Sequence, residues 1–148
     1  MGRFRMKPPF PPKGQSKPHA YNLGSKSIKD ENENEFTVIK VELDVGIAGE
    51  ANNDGTIFVD KNIPNGSIEE AEVVAHESKH MEDMDDGILN YDDDSITWRG
   101  KKYPRKDGKI KYKGKWVEEG DKNFPWEKRA YKAGDAAVKK LKKEQNGK

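Results

Sequence analysis

Charge is divided along this chain of 148 residues into three blocks of alternating sign. Residues 1–29 contain seven Lys or Arg and no Asp or Glu, residues 30–94 contain three basic and twenty acidic residues, and residues 95–148 contain eighteen basic and seven acidic residues. The formal net charge of +1 conceals this separation. Such a chain either folds its basic ends against its acidic middle or presents them to a partner.

Apolar residues are scarce, which limits how much of the chain can enter a core. They make up 32% of the sequence, against 37% charged residues, so we expect one domain whose core uses only part of the chain. No apolar run approaches the roughly 18 residues that cross a bilayer, and the first residues lack the apolar segment of a secretory signal. Cysteine is absent, which excludes disulfides and a thiol nucleophile.

Prolines mark the first segment as a separate element. Five of the eight prolines fall within residues 1–29, which favours extended polyproline-like backbone over helix. We predict that this segment is a basic, Pro-rich extended arm and that residues 30–148 form the folded domain. The sequence leaves two alternatives open for the arm: a disordered tail, or a docking arm anchored by Phe4, Phe10 and Tyr21.

The domain is predicted to begin with a short antiparallel sheet. Residues 36–48 alternate and are rich in β-branched side chains, which is typical of a strand. A turn signal at Asp54-Gly55 precedes a second strand over residues 56–59. Farther along, residues 95–117 alternate again between Gly-containing turns, and we predict one or two basic β-hairpins there.

Two helices complete the predicted domain. Ser67 followed by Glu70 is the capping-box pattern of a helix N-terminus, and Gly87 suits the position just after the C-terminus. A second helix is predicted from Pro125 to about Lys143. The predicted fold class is therefore α+β, with a short antiparallel sheet, a helix, a basic hairpin insertion and a C-terminal helix. The apolar stripe predicted for the first helix is Ile68, Ala71, Val74, Ala75 and Met81.

The first helix carries His76-Glu77-Ser78-Lys79-His80, which has the form H-E-x-x-H. Two His four residues apart lie on one helical face, so both imidazoles can reach a single ion. Zinc accepts imidazole nitrogen, and Glu77 is placed to take a proton from a water that the metal activates. Two of the three histidines of the chain fall in this pentapeptide. We predict a zinc site there; the alternative is a surface helix with two unrelated histidines.

This arrangement resembles the zincin metallopeptidases, whose active-site helix carries H-E-x-x-H and packs behind a small sheet. The resemblance implies a zincin-like catalytic domain over residues 30–148. It further implies that His76 and His80 bind Zn²⁺ and that Glu77 is the general base. The edge strand that binds peptide substrate would come from one of two segments, residues 41–47 or residues 56–59.

A third metal ligand is implied by the same resemblance. The sequence PWEKRA at the start of the second helix is similar to the W-E-x-x-A pattern of small phage and bacterial zincin-like proteins of the gluzincin type. The resemblance therefore assigns Glu127 as the third zinc ligand. Tyr131, one helical turn later, is predicted to be a catalytic residue that steadies an oxyanion. The alternative for Glu127 is a charge that complements the helix dipole. The alternative for Tyr131 is core packing.

Other acidic residues are alternative candidates. Glu82, Asp83 and Asp86 compete as the third ligand, but they lie so close to the His pair in sequence that they would strain a tetrahedral site. Asp135 is a candidate hydrogen-bond partner for a ligating imidazole. The acidic run at residues 92–94 lacks the spacing of a calcium loop, so we expect solvated loop charges there.

The sequence thus predicts zinc-dependent hydrolysis of a peptide or isopeptide bond, with a peptide or protein as substrate. The alternative is a non-catalytic structural subunit of a larger assembly, such as a virion or injection apparatus, that docks through residues 1–29. A nucleic-acid-binding module would rest only on the basic ends. Because the acidic block adjoins them, we expect charge pairing within the chain and no nucleic-acid partner. We also expect no membrane partner and a cytoplasmic or virion-associated location.

Overall fold

The structure is a computed structural model that describes residues 3–7, 25–29, 35–43, 45–52 and 55–146. Its described elements are ten strands, arranged as two sheets of five, and two helices. The predicted α+β class is therefore confirmed. Within the described part of the chain, neither helix combines the length and apolar character needed to cross a membrane.

The first sheet is a mixed sheet, and its five strands all lie within the first sixty residues. Its strands have the order β1-β4-β5-β3-β2. β1 runs parallel to β4 and β3 runs parallel to β5, whereas the β2–β3 and β4–β5 pairs are antiparallel. The strands are β1 (Arg3–Lys7), β2 (Ser25–Lys29), β3 (Glu35–Val41), β4 (Ile47–Asn52) and β5 (Thr56–Asp60).

The single strand predicted over residues 36–48 is wrong: its first part, β3, runs parallel to β5, and its last two residues belong to β4, which pairs antiparallel with β5 as predicted. The chain leaves β3 at Val41 and turns at Gly46, which has a φ of +86°. Val45, which the sequence alternation placed in the strand, is 99% exposed in this turn. The chain then forms β4 before it returns as β5, and this detour leaves β3 and β5 parallel.

Both ends of the predicted arm contribute strands to this sheet. β1 and β2 are its two outer strands, while residues 8–24, which hold the Pro-rich sequence, lie outside the described residues. Neither segment predicted to supply the edge strand is an edge strand, because residues 56–59 belong to the central strand β5 and residues 41–47 run from the end of β3 to the start of β4. The division into an arm and a domain stays a prediction.

The first helix, α1 (Ile68–Asp85), begins and ends as predicted. The Ser67 side chain accepts a hydrogen bond from the Glu70 N–H at 3.1 Å, and the Glu70 carboxylate accepts one from the Gly66 N–H at 3.1 Å. After the last turn, Gly87 adopts a φ of +78°, a conformation that glycine reaches at little cost.

The buried face of α1 is mostly polar, which differs from the predicted apolar stripe. Of that stripe only Met81 is buried, and the other members are half-buried. Polar side chains that face a protein interior need partners there. The buried residues of the helix are Glu70, Val73, His76, Glu77, His80, Met81 and Asp83.

The second sheet is an antiparallel meander in which tight turns join the last four strands. The turns Arg99-Gly100, Asp107-Gly108 and Lys113-Gly114 each have two residues with positive φ, the type I′ geometry that matches strand twist. The predicted basic hairpin insertion is confirmed, with three hairpins in place of one or two. The strands are β6 (Leu89–Tyr91), β7 (Ser95–Trp98), β8 (Lys101–Lys106), β9 (Lys109–Tyr112) and β10 (Lys115–Glu118).

The second helix, α2 (Pro125–Asn146), begins inside an aromatic cluster. Phe124 and Trp126 stack with ring centroids 4.8 Å apart, and both are buried. Tyr103 and Tyr112 of the second sheet lie 5.5 and 6.2 Å from the Trp126 ring. Burial of aromatic rings of this size stabilises the start of the helix strongly. The sheet therefore fixes the first turn of α2, where residue 127 lies.

Candidate metal centre

His76, His80 and Glu127 come together between α1 and α2. The Nε2 atoms of His76 and His80 lie 2.9 and 3.1 Å from the same Oε1 atom of Glu127. All three side chains are buried, and their possible ligand atoms lie within 4.8 Å of one another. The structure therefore brings together the three residues predicted as metal ligands.

Local helix geometry and one glycine account for this meeting. The helical repeat of α1 sets the two imidazoles one turn apart, with ring centroids 5.1 Å from each other. Gly134 of α2 faces α1 at the same level. A Cβ atom at this position would lie 3.2 Å from the Glu72 carbonyl oxygen and 3.8 Å from the His76 Cβ. Glycine thus lets the two helices approach closely beside the His pair.

The protonation states of His76 and Glu127 suit a cation. Burial lowers the pKa of His76 to about 4, so its imidazole is neutral near pH 7. Burial alone would raise the pKa of Glu127, but the charge of His80 and hydrogen bonds from both imidazoles outweigh it and lower that pKa to about 2. A neutral imidazole and an ionised carboxylate are the forms that bind metal ions.

Glu77 lies in the interior beside this cluster and has no exposed surface. Neither of its carboxylate oxygens has a hydrogen-bond partner among the described residues. Burial, followed by the charges of Glu127 and Glu50, raises the pKa of Glu77 well above its ordinary value. Such an arrangement is expensive unless the carboxylate has another role, since buried acids are nearly always paired.

β4 passes directly over Glu77 because it has a glycine there. A Cβ atom on Gly49 would lie 2.8 Å from Oε2 of Glu77 and 2.6 Å from Cγ1 of Val73, and both distances are too short for real contacts. The next residue, Glu50, is only 3% exposed. Glu50 was not predicted as a site residue, because the strand predicted there ended at residue 48. The available signal was an acidic residue within the otherwise small or apolar run IAGEA.

Tyr131 contacts the centre through its ring. The ring packs edge-on against His76 with a centroid distance of 4.5 Å, and the hydroxyl donates a hydrogen bond to the Gly120 carbonyl oxygen at 2.8 Å. Burial, together with nearby carboxylates, raises the pKa of Tyr131 to about 12, so the hydroxyl keeps its proton. The catalytic role predicted for Tyr131 stays a prediction.

The competing acidic residues lie apart from the metal cluster. Asp83 is fully buried and accepts two hydrogen bonds from the Arg129 guanidinium, at 2.9 and 3.0 Å. Asp86 is exposed at the end of α1, and Glu82 is not part of the cluster. Asp135 is exposed and acts on His76 only through its charge, which raises the pKa of that imidazole. Asp83 therefore serves to join the helices.

The donor set fits a divalent metal ion. Two imidazoles and one carboxylate converge, and both oxygens of the buried Glu77 beside them lack a hydrogen-bond partner among the described residues. The carboxylate-bridged His pair can therefore hold a metal ion. Two His and one carboxylate form a set found at zinc sites, although the same donors also serve other transition metals.

No protein-family profile matches this chain, and no significant match was found among curated proteins or solved structures. We therefore infer function from the geometry of the centre.

Proposed function

We propose that this protein is a zinc-dependent hydrolase of peptide or isopeptide bonds. The observation that carries the proposal is the unpartnered Glu77 carboxylate beside a cluster of three ligand side chains. Catalytic zinc sites use three protein ligands and keep one position open, whereas structural sites use four. The H-E-x-x-H sequence and the resemblance to zincins support the same assignment.

The residues of the chain then have separate tasks. His76, His80 and Glu127 would hold the zinc, which when bound supplies a Lewis acid that polarises the scissile carbonyl and activates water. Glu77 takes the proton from the attacking water and passes it to the leaving amine. Burial shifts the pKa of Glu77 upward from its ordinary value, which is the direction that a carboxylate serving as both base and acid needs.

The experiment is a pair of measurements on protein purified without added metal: metal content by mass spectrometry, and cleavage of a quenched-fluorescent peptide library. The wild type is expected to carry about one zinc per chain and to cleave. Glu77→Gln is expected to keep zinc and lose turnover. Glu72→Gln, on the same helix but outside the cluster, is the matched control and is expected to keep both. A wild type that takes up no zinc, or a Glu77→Gln variant with the wild-type rate, would contradict the proposal.

The depth of the centre supports a second candidate, a non-catalytic subunit of a larger assembly in which a metal joins α1 to α2. His76, His80 and Glu127 are each 1% exposed, and Glu77 is not exposed at all. In this case the wild type binds zinc, its melting temperature depends on the metal, and no peptide in the library is cleaved. Chelation would then abolish assembly, whereas Glu77→Gln would leave it intact.

A further inference from the structure

The second sheet has one face in the core and one face toward solvent. Ile110 is buried and Tyr112 packs against Phe124 on the inner side. Side chains alternate along each strand, so their sequence neighbours point outward. We call this outer side the basic face. Its exposed members include Lys102, Lys106, Lys109, Lys111, Trp116 and Glu118.

Trp116 lies among lysines on the basic face. The strand register places Trp116 opposite Lys111 and Lys106 opposite Lys109. The indole is 47% exposed, whereas Trp98 and Trp126 are buried. An exposed tryptophan on a sheet face lacks the hydrophobic stabilisation that the same side chain would gain from burial in the core.

The lysines of the basic face form no ion pair with the acidic block among the described residues. Lys106, Lys109 and Lys111 form no ion pair with a residue in the described part of the chain, and the basic-to-acidic ion pairs near this sheet involve Arg105 and Arg129 instead. Lys102 does act on an acid, since its charge contributes to the lowered pKa of Asp92. The carboxylate on the face itself is Glu118, opposite Lys109.

The spacing of the face suits a linear polyanion. Side chains two residues apart on one strand are about 6.8 Å apart, and neighbouring strands are about 4.8 Å apart. A nucleic-acid strand is a linear polyanion with one phosphate per nucleotide, so a row of regularly spaced lysines can contact several phosphates of one strand. The three type I′ turns hold the strands in a rigid meander, and little ordering would accompany binding.

We propose that the basic face binds single-stranded nucleic acid, with a base stacked on Trp116 and the backbone phosphates against Lys106, Lys109 and Lys111. Base–aromatic stacking together with a basic track is the usual basis of sequence-tolerant binding to single strands. A folded protein partner fits less well, because lysine is depleted in protein interfaces and one aromatic ring offers little apolar area. The proposal departs from the expectation of charge pairing within the chain, and it is independent of the proposed hydrolase activity.

The test uses the full chain in chelator, so that cleavage cannot interfere. Anisotropy of a fluorescent oligothymidylate of about 20 nucleotides reports affinity at several salt concentrations, and tryptophan quenching reports contact with the exposed indole. Trp116→Ala is expected to weaken binding roughly tenfold and to abolish quenching, while Trp116→Phe keeps most of the affinity. Replacing Lys106, Lys109 and Lys111 together by Gln is expected to flatten the salt slope by about 2.

The matched control removes the same number of positive charges from a surface outside the basic face. Lys139, Lys140 and Lys143 are exposed on α2, and their joint replacement by Gln is expected to leave most of the affinity and the quenching unchanged. Equal losses in the two triple variants, with both folded by circular dichroism, would overturn the proposal. So would a wild type that fails to bind the oligonucleotide at low salt. Polyglutamate that binds as tightly and quenches as strongly would indicate an acidic polypeptide partner instead.

Discussion

Asp83 of α1 and Arg129 of α2 form a bidentate ion pair that links the two helices carrying the metal centre. The guanidinium Nε donates to Oδ2 at 3.0 Å and Nη2 donates to Oδ1 at 2.9 Å. Asp83 follows His80 by three residues, and Arg129 follows Glu127 by two. This geometry is directional as well as strong, since both donors of a planar group must align. The ion pair therefore fixes the register of the two helices where the ligands meet.

Breaking this pair is expected to destabilise the fold. Arg129→Gln leaves the fully buried Asp83 carboxylate without its cation, and the free energy of unfolding in urea should fall by about 3 kcal/mol. Lys61→Gln is the control, because Lys61 pairs at 3.0 Å with Glu42 at an exposed site, where a loss below about 1 kcal/mol is expected. Similar losses in the two variants would show that burial of the Asp83 carboxylate adds nothing to the energy of the pair.

A methyl group at Gly49 is expected to disturb Glu77 directly. Gly49→Ala places a Cβ atom in the space of Val73 and Glu77, and overpacking of this kind costs about 1–3 kcal/mol. The change should also lower any hydrolytic rate while leaving zinc content unaltered. Combining it with Val73→Ala relieves the 2.6 Å contact and should recover part of the stability but not the rate. Wild-type stability and rate in Gly49→Ala would contradict this account of the strand crossing.

Metal should stabilise the protein through its three ligands. At free zinc about 100-fold above its dissociation constant, the free energy of unfolding should rise by about 2.7 kcal/mol. Thermal melting with and without chelator measures this difference. Glu127→Gln should lose most of the response, whereas Asp135→Asn, close by but outside the cluster, should keep it. An equal response in both variants would remove Glu127 from the ligand set.

Acid is expected to destabilise the metal-free protein through His76. Its folded pKa of about 4 lies below the ordinary 6.5, so between these values the unfolded chain binds a proton that the folded protein does not, and stability falls as pH falls. The raised pKa of Glu77 acts in the opposite direction in part of this range. Urea midpoints of Glu77→Gln should therefore fall more steeply from pH 6.5 to 4 than those of the wild type. A flat profile in Glu77→Gln would contradict the burial of a neutral His76.

Tyr131→Phe separates support of the centre from catalysis. The variant loses the hydrogen bond to the Gly120 carbonyl, worth about 1 kcal/mol, but keeps the ring against His76. We expect lower stability, full zinc content and a cleavage rate within a few-fold of the wild type. A hundredfold or greater loss of kcat would instead match the oxyanion-stabilising role predicted from the sequence.

Features encoded by neighbouring residues were predictable from the sequence. The caps at Ser67 and Gly87 depend on residues within one turn, and the His76–His80 spacing depends only on the helical repeat. The hairpins between residues 95 and 117 follow from alternation and X-Gly turns. Glu127 was assigned through a family resemblance, and the structure places its carboxylate between the two imidazoles.

Features that depend on distant pairing were not predictable in the same way. Alternation cannot show whether two strands run parallel, so the β3–β5 pair and the position of β1 beside β4 were missed. The polar buried face of α1 was not predicted either. The prediction took apolar residues as the buried ones, whereas the partners of the buried polar residues, Glu127 and Arg129, lie on another helix. The acidic residue in the run IAGEA marked Glu50 as unusual, but its effect on Glu77 depends on β4 crossing α1.

In sequence, the whole meander lies between the two helices that form the metal centre. This order has a consequence for folding. His76 and Glu127 are 51 residues apart in sequence, so closing that loop from an open chain carries a sizeable entropy cost. Hairpins form in microseconds from local contacts, and a folded meander shortens the effective loop before the ligands meet. Substitutions in its X-Gly turns should therefore slow assembly of the centre without changing the affinity of the assembled site for metal.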